Sequence, residues 1–326
     1  MTLNTISGVF SRYFFAGFFL PALFAVAAAR LTFAGGGLAG SRTSAELALE
    51  VGLIAAVAVP IGLFLLGLKR PLIRFFEGYP LERAARLKWG ARLPRLLQVS
   101  MLPYLLWARL DHRQNRRYRT LKACSEHAED RAKREQAKRT FDASFARGRQ
   151  VLPTRFGNVV RAFEYHANLR WGLDGLTVWP RIAPLLSDRE RDLHVDAETE
   201  MMFFLNSCAA AAVLACALFV EGMTEGVIAL QTLWCGIAVG LAFGSYVLAI
   251  DAAVGWGTEV RASIDLRRLE LYERLGVRTP TSFSDERAVA ARLSDFLAHR
   301  HGDAPLPDDL WRSDDASEDQ DRLAWL

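Results

Sequence analysis

The chain has 326 residues, 51% of them apolar, a mean hydropathy of +0.11 and a formal net charge of +4. Its apolar residues are bunched into four blocks separated by highly charged sequence, the pattern of a multi-pass membrane protein with substantial soluble parts. Cys124, Cys208, Cys216 and Cys235 form no CxxC pair and three of them lie in apolar blocks, so neither a disulfide framework nor a zinc site is indicated. Arginine outnumbers lysine 35 to 5, which reflects the composition of a GC-rich genome and carries no functional weight.

The first block, "RYFFAGFFLPALFAVAAAR", ends in a small-residue string like a signal cleavage site. It is long for a signal core, is preceded only by Arg12 among nearby basic residues, and opens on aromatics suited to a membrane interface, so a retained helix is expected. Candidate spans fall at 13–33, 47–68, 201–220 and 227–250, each near the roughly 20 residues needed to cross the hydrocarbon core. Short connectors join them pairwise, the first "LTFAGGGLAGSRTSAEL" and the second "EGMTEG". The expected fold is all-α: an integral membrane protein with four transmembrane helices in two hairpins plus a helical cytoplasmic domain. Its expected segments are 1–68 (first hairpin), 69–199 (basic cytoplasmic domain), 200–250 (second hairpin), 251–301 (cytoplasmic C-terminal helices) and 302–326 (acidic tail). Pro21 and Pro60 lie inside the first two spans, where proline removes a helix hydrogen bond and kinks the helix, as a static bend or as a gating hinge.

Residues 69–199 carry 27 Lys plus Arg against 15 Asp plus Glu, a net of +12, while "EGMTEG" has no basic residue. The positive-inside rule therefore puts the middle region, both termini and the C-terminal segment in the cytoplasm of a cell-membrane protein. Within 69–108, "RLPRLLQVSMLPYLLWARL" suits either a helix at the membrane surface or one packed in a soluble core. Residues 109–149 hold 13 basic and 6 acidic residues, no proline and only Gly148, which favours one long helix. Leu110, Tyr118, Leu121, Phe141 and Phe145 are too sparse along it for a heptad repeat. A solvated helix and attraction to anionic headgroups are the two readings of its charge; nucleic acid is disfavoured because aromatic residues are few and no recognised motif occurs.

In 150–199, Pro153 and Thr154 suit a helix entrance, Gly172 an exit and Asp174 a second cap. The strings "LPTRFGN", "RWGLD" and "WPR", with "RYFFAGFFLPALF" near the start, resemble those of a family of bacterial multi-pass membrane proteins. The resemblance extends over most of the chain and implies no activity and no site residue. The four-span order is similar in outline to bestrophin-type channels, whose characteristic local sequences are absent, so that likeness is one of architecture alone.

The fourth span, "VIALQTLWCGIAVGLAFGSYVLAID", repeats Gly236, Gly240 and Gly244 every four residues, preceded in register by Thr232. Such small-residue stripes let helix backbones approach closely in lipid, and Ser207, Ala211 and Ala215 of the third span offer a counterpart at the same spacing. With Gly236 at zero and about 100° per residue, Gly240, Gly244 and Asp251 fall near about 40°, 80° and 60°. Asp251 therefore continues the stripe toward protein rather than lipid. A helix starting at Val227 is about 36 Å long by Ile250, more than the roughly 30 Å core, so Asp251 is expected at the inner boundary, as a helix-terminal polar group or as part of an ion path.

Beyond the fourth span, "EVRASIDLRRLELYERLG" reads as a continuing helix ended by Gly276, and Ser284 with Asp285 and Glu286 as the start of another. From Gly302 onward there are 8 acidic and 2 basic residues, a composition expected to be disordered or to fold back on the basic middle region.

Motifs of chemistry are weak. Gly35, Gly37 and Gly40 satisfy GxGxxG but lie in a connector between apolar blocks, and Gly62 and Gly67 have phosphate-loop spacing without the GK[ST] ending. There is no HExxH or GxSxG, and His127 beside Glu126, Glu129 and Asp130 reads as an exposed helix surface. No catalytic residue, cofactor or metal is expected. Two functions follow: a homo-oligomeric channel or membrane-permeabilising effector controlled by its cytoplasmic domain, with Asp251 at the inner mouth, or a non-catalytic adaptor that recruits a cytoplasmic protein.

Overall fold

The computed structural model describes residues 11–33, 43–80, 101–225, 228–298 and 310. The helices among them run, in chain order, α1 (Arg12–Phe33), α2 (Ser44–Gly67), α3 (Lys69–Glu77), α4 (Met101–His127), α5 (Arg131–Ser144), α6 (Arg155–Glu164), α7 (His166–Trp171), α8 (Gly175–Ile182), α9 (Asp188–Glu225), α10 (Ile228–Arg274) and α11 (Phe283–Ala298). Among the described residues there is no strand, and α1, α2, α9 and α10 are long and apolar enough to cross a membrane. The glycine-rich stretch with Gly35, Gly37 and Gly40, residues 81–100 of the expected surface helix, and the acidic tail apart from Leu310 lie outside the described residues.

Two compact units interleave along the chain: Met1–Gln114 with Leu152–Gly157 and Val195–Trp256, and Asn115–Val151 with Asn158–His194 and Gly257–Leu326. The first holds the apolar windows. Thr43 caps α2 with a full capping box: its hydroxyl accepts from the Glu46 amide, and the Glu46 carboxylate accepts from the Thr43 amide at 2.8 Å. α1 and α2 approach closely where Gly62 has no side chain; a Cβ there would sit 3.2 Å from the Phe19 Cα and 3.3 Å from the Phe14 ring. Phe14 and Phe18 of α1 and Met201, Met202 and Leu205 of α9 are buried. The segment 152–157 docks on the end of α3: Thr154 donates its hydroxyl to the Glu77 carbonyl at 3.0 Å, Pro153 covers the left-handed Gly78, and Phe156 meets Phe76 edge-on.

The second unit is built from the second half of α4, from α5 to α8, and from the ends of α9 and α10 with α11. The expected single helix over 109–149 is two helices instead, separated by residues 128–130. Asp130 accepts from the Ala132 amide and Arg134 ties back to the Ala128 carbonyl, so a capped turn outweighs the helix-forming composition around it. The turn lets Tyr118 of α4 meet Phe141 and Phe145 of the α5 end at 5.2 and 5.4 Å, giving the sparse aromatics a common cluster. Gly172 and Gly276 end α7 and α10 in the left-handed conformation, as their positions in the sequence suggested. α11 is capped by Ser282, whose hydroxyl accepts from the Asp285 amide, rather than by Ser284, which lies one residue inside the helix.

Candidate functional site

The strings that stood out in the sequence are mostly joints. Gly157 has no room for a side chain, since a Cβ would lie 2.4 Å from the Glu77 carbonyl oxygen, and the Tyr246 hydroxyl is hydrogen bonded to the backbone at Arg155 and Phe156 while its ring stacks on Phe76. In the second unit Trp171 donates to Asp265 at 2.5 Å, Arg268 lies 3.6 Å from the centre of the Trp171 ring and pairs with the buried Glu286 at 2.7 Å, and His166 approaches Asp265 at 3.3 Å. Burial pushes the His166 imidazole below its ordinary range, with Asp265 acting against the shift. Trp179 packs edge-on against His194, whose Nε2 bonds the Ser263 hydroxyl at 2.7 Å.

At one end of the apolar helices a polar cluster links α1, α3 and α9. Arg12 pairs with Asp196, Lys69 pairs with Glu198, Tyr13 donates its hydroxyl to Glu198 at 3.3 Å, and the Lys69 ammonium lies over the Tyr13 ring. A lysine just past an apolar helix must bring its charge to water or to a counter-charge, and Glu198 supplies the latter. Farther along the same helices Asn206, fully buried, donates its side-chain amide to the Gly17 carbonyl at 2.7 Å.

The small-residue stripes do not meet each other within one chain. A Cβ built at Gly236, Gly240 or Gly244 has nothing within 4 Å among the described residues, whereas Ala215 lies with Leu218 and Ala238, with Cys235 beside them. The geometry explains why. On the scale that puts Gly236 at zero, the buried Ala238, Ala249 and Ala253 fall at about 200°, 220° and 260°, nearly opposite the glycines. Ser207 and Ala211 are half-buried on α9, while Asp251 is exposed and has no hydrogen-bond or ion-pair partner among the described residues. Sequence reasoning placed the stripe and Asp251 on one face and missed that a second small-residue face, through Ala238 and Ala249, is the one used internally.

Also missed were Lys69, Glu198, Asn206 and the pair Arg30–Glu50, 3.4 Å apart. Their only sequence signal is a polar residue within or at the edge of an apolar run. Among the described residues no group of three or more His, Cys, Asp or Glu could hold a metal ion, and His127 is exposed beside Glu126 at 3.9 Å. Comparison with protein-family models, with curated proteins and with solved structures found no match.

Proposed function

We propose that this is a homo-oligomeric multi-pass protein of the cell membrane whose subunits meet along the Gly236, Gly240 and Gly244 face of α10 and form a channel about the symmetry axis. The observation that carries the reading is a glycine stripe that is open among the described residues and is continued, on the same face of one helix, by Asp251, a carboxylate with no partner among them. Bare backbone facing lipid gains nothing that a leucine would not give better, whereas against a second helix it permits close approach. Tyr246, stacked on Phe76 past the apolar end of α2, marks the edge of the hydrocarbon, and Asp251 lies about 7 Å farther along the helix axis. A ring of such carboxylates at the mouth of an axial pore favours cations.

In this reading α1 with α2, and α9 with α10, form two hairpins, and the basic segments flanking the Lys69 end place that end, both termini and the second unit in the cytoplasm. The second unit is the control element, with anionic headgroups at the cytoplasmic face as its membrane contact. The test is cation and anion flux through proteoliposomes holding the full chain, wild type beside Asp251→Asn. Cation-selective flux that loses its selectivity in the variant supports the channel.

A non-catalytic adaptor is the second reading. It draws on the exposed α4 and α5 surfaces, where Lys122 and Lys138 have no acidic partner among the described residues and offer an acidic protein a docking charge. An oligomer that conducts neither as wild type nor as the variant favours this reading.

A further inference from the structure

Between α4 and α5, wholly inside the second unit, lies a cleft of about 410 Å³, within the range of small-molecule sites. Spacings of three and four residues put Tyr118, Lys122, Ser125 and Glu126 on one face of α4, and Lys138 and Phe141 on one face of α5. Arg147 and Gly148, in the segment after α5, complete the lining. Gly148 is left-handed and turns the chain there, and the Arg147 guanidinium lies 5.8 Å from the centre of the Phe141 ring. The buried Phe141, with the Tyr118 ring 5.2 Å away, is the apolar floor.

The polar groups around this floor are mostly donors with positive charge. The ammonium groups of Lys122 and Lys138 belong to exposed side chains and have no hydrogen-bond or ion-pair partner among the described residues, although Glu126 stands one turn from Lys122. Arg147 gives Nε and Nη2 to Asp142 at 3.2 and 2.9 Å, which fixes the planar fork and leaves Nη1 for a ligand. The Ser125 hydroxyl donates to the Lys122 carbonyl at 2.7 Å, so its oxygen, like the Glu126 carboxylate, is an acceptor.

These groups select among anions. Even with Asp142 counted beside Glu126, three cations against two carboxylates leave the surroundings positive. Two ammonium groups and one guanidinium N–H match the three terminal oxygens of a phosphate monoester, whereas a carboxylate or a phosphate diester has only two such oxygens to offer. Inorganic phosphate would leave most of the cleft empty and would present only oxygens to Glu126. A larger body with hydroxyl or amine groups gives Glu126 and Ser125 donors to accept from.

We infer that this cleft binds a phosphate monoester with a hydroxyl- or amine-bearing body: the phosphate on Lys122, Lys138 and Arg147, the body over Tyr118 toward Glu126 and Ser125. The site lies within one chain and does not depend on how subunits assemble.

The test is calorimetric titration of the full chain, held in phosphatidylcholine nanodiscs, with glycerol 3-phosphate, and with glycerol and dimethyl phosphate as controls. The expected result is one glycerol 3-phosphate per chain and at least tenfold weaker binding of either control. Lys122→Gln and Lys138→Gln should each weaken binding about tenfold, the loss of one charge-assisted hydrogen bond, while Lys133→Gln, an exposed lysine of α5 outside the cleft, should leave it unchanged. Only variants that keep the wild-type helical content and melting temperature are scored. Repeating the titration in nanodiscs that contain phosphatidylinositol 4-phosphate separates the two sources of a monoester. Exclusion of glycerol 3-phosphate there assigns the site to a lipid headgroup, undiminished binding assigns it to a free ligand, and either upholds the inference. No binding of glycerol 3-phosphate, or an equal loss in Lys133→Gln that reduces the effect to general attraction, overturns it. So does binding that appears only after residues 311–326 are removed, which would make the chain's own acidic segment the occupant.

Discussion

Asn206 of α9 donates its side-chain amide to the backbone carbonyl of Gly17 in α1, 2.7 Å away and 189 residues earlier in the chain. The contact answers a local deficit. In a regular helix the Gly17 carbonyl would accept from the amide of residue 21, but that residue is proline and has none. The helix widens into a π-turn over Phe15–Phe19, and Asn206 reaches across to the carbonyl. The carbonyl that Pro21 leaves open thus has a fixed partner on a neighbouring helix, which holds the π-turn in place.

Asn206→Leu should therefore lower stability by about 1 to 2 kcal/mol, the range for a hydrogen bond between membrane helices. In a Pro21→Ala background residue 21 regains its amide, the Gly17 carbonyl acquires an intrahelical donor, and the cost of Asn206→Leu should shrink. The double-mutant cycle, read by thermal or denaturant unfolding in detergent, gives a coupling of about 1 kcal/mol if Asn206 serves the carbonyl that Pro21 leaves open. Additive losses would mean that Asn206 contributes packing alone.

The four apolar helices were legible because a run of about 20 apolar residues needs no tertiary information to be read. The facing of Asp251 relative to the glycines was equally legible, since it depends only on the residues per turn of one helix. Which face of α10 meets its own chain was not: Gly236, Gly240 and Gly244 make one small-residue face, Ala238 and Ala249 another, and only the partner helix chooses. The Asn206 contact was invisible for a different reason. Pro21 announces an unsatisfied carbonyl, but nothing local names the donor 189 residues away. The break between α4 and α5 had a signal, Asp130 before a helix-forming run, outweighed in the reading by the absence of proline and glycine.

Burial pushes the Glu164 carboxyl up to about 7, with Arg161 opposing and Asp174 adding to the rise. The folded state therefore holds this proton more tightly than the unfolded chain, whose carboxyl titrates at about 4.3. The resulting stability is fully present below the unfolded value and is lost as pH rises through about 7. Unfolding followed at several pH values should show a falling contribution of up to roughly 3 kcal/mol across that window. Glu164→Gln, neutral throughout, should flatten the slope; an unchanged slope would assign it to another group.

Cys124 reports orientation in a Cys216→Ala background, because Cys216 is the other exposed thiol among the described residues. Cys124 is an exposed free thiol on α4, whereas Cys208 is buried and the Cys235 thiol donates to the Ala215 carbonyl at 3.5 Å. A membrane-impermeant maleimide should label Cys124 in inverted vesicles and leave it unlabelled in right-side-out vesicles or intact cells. Labelling from the outside would reverse the proposed orientation of the second unit.

Two glycines in apolar helices separate folding from assembly. At Gly62 a Cβ would press to 3.2 Å on the Phe19 backbone, so Gly62→Ile forces α1 and α2 apart and should lower the melting temperature, with a loss of stability of about 1 to 3 kcal/mol, the range typical of overpacking. At Gly240 a Cβ meets nothing within 4 Å among the described residues, and the same bulky change there should leave the melting of the isolated chain within about 0.5 kcal/mol of wild type. If the open stripe is where subunits meet, Gly240→Ile should nevertheless shift the protein from oligomer to monomer in light scattering or native mass spectrometry, with a milder effect from Gly240→Ala. Flux that depends on Asp251 should disappear with the oligomer. A wild-type oligomer that persists unchanged in Gly240→Ile would place the subunit interface elsewhere and separate Asp251 from any axis of symmetry on this face.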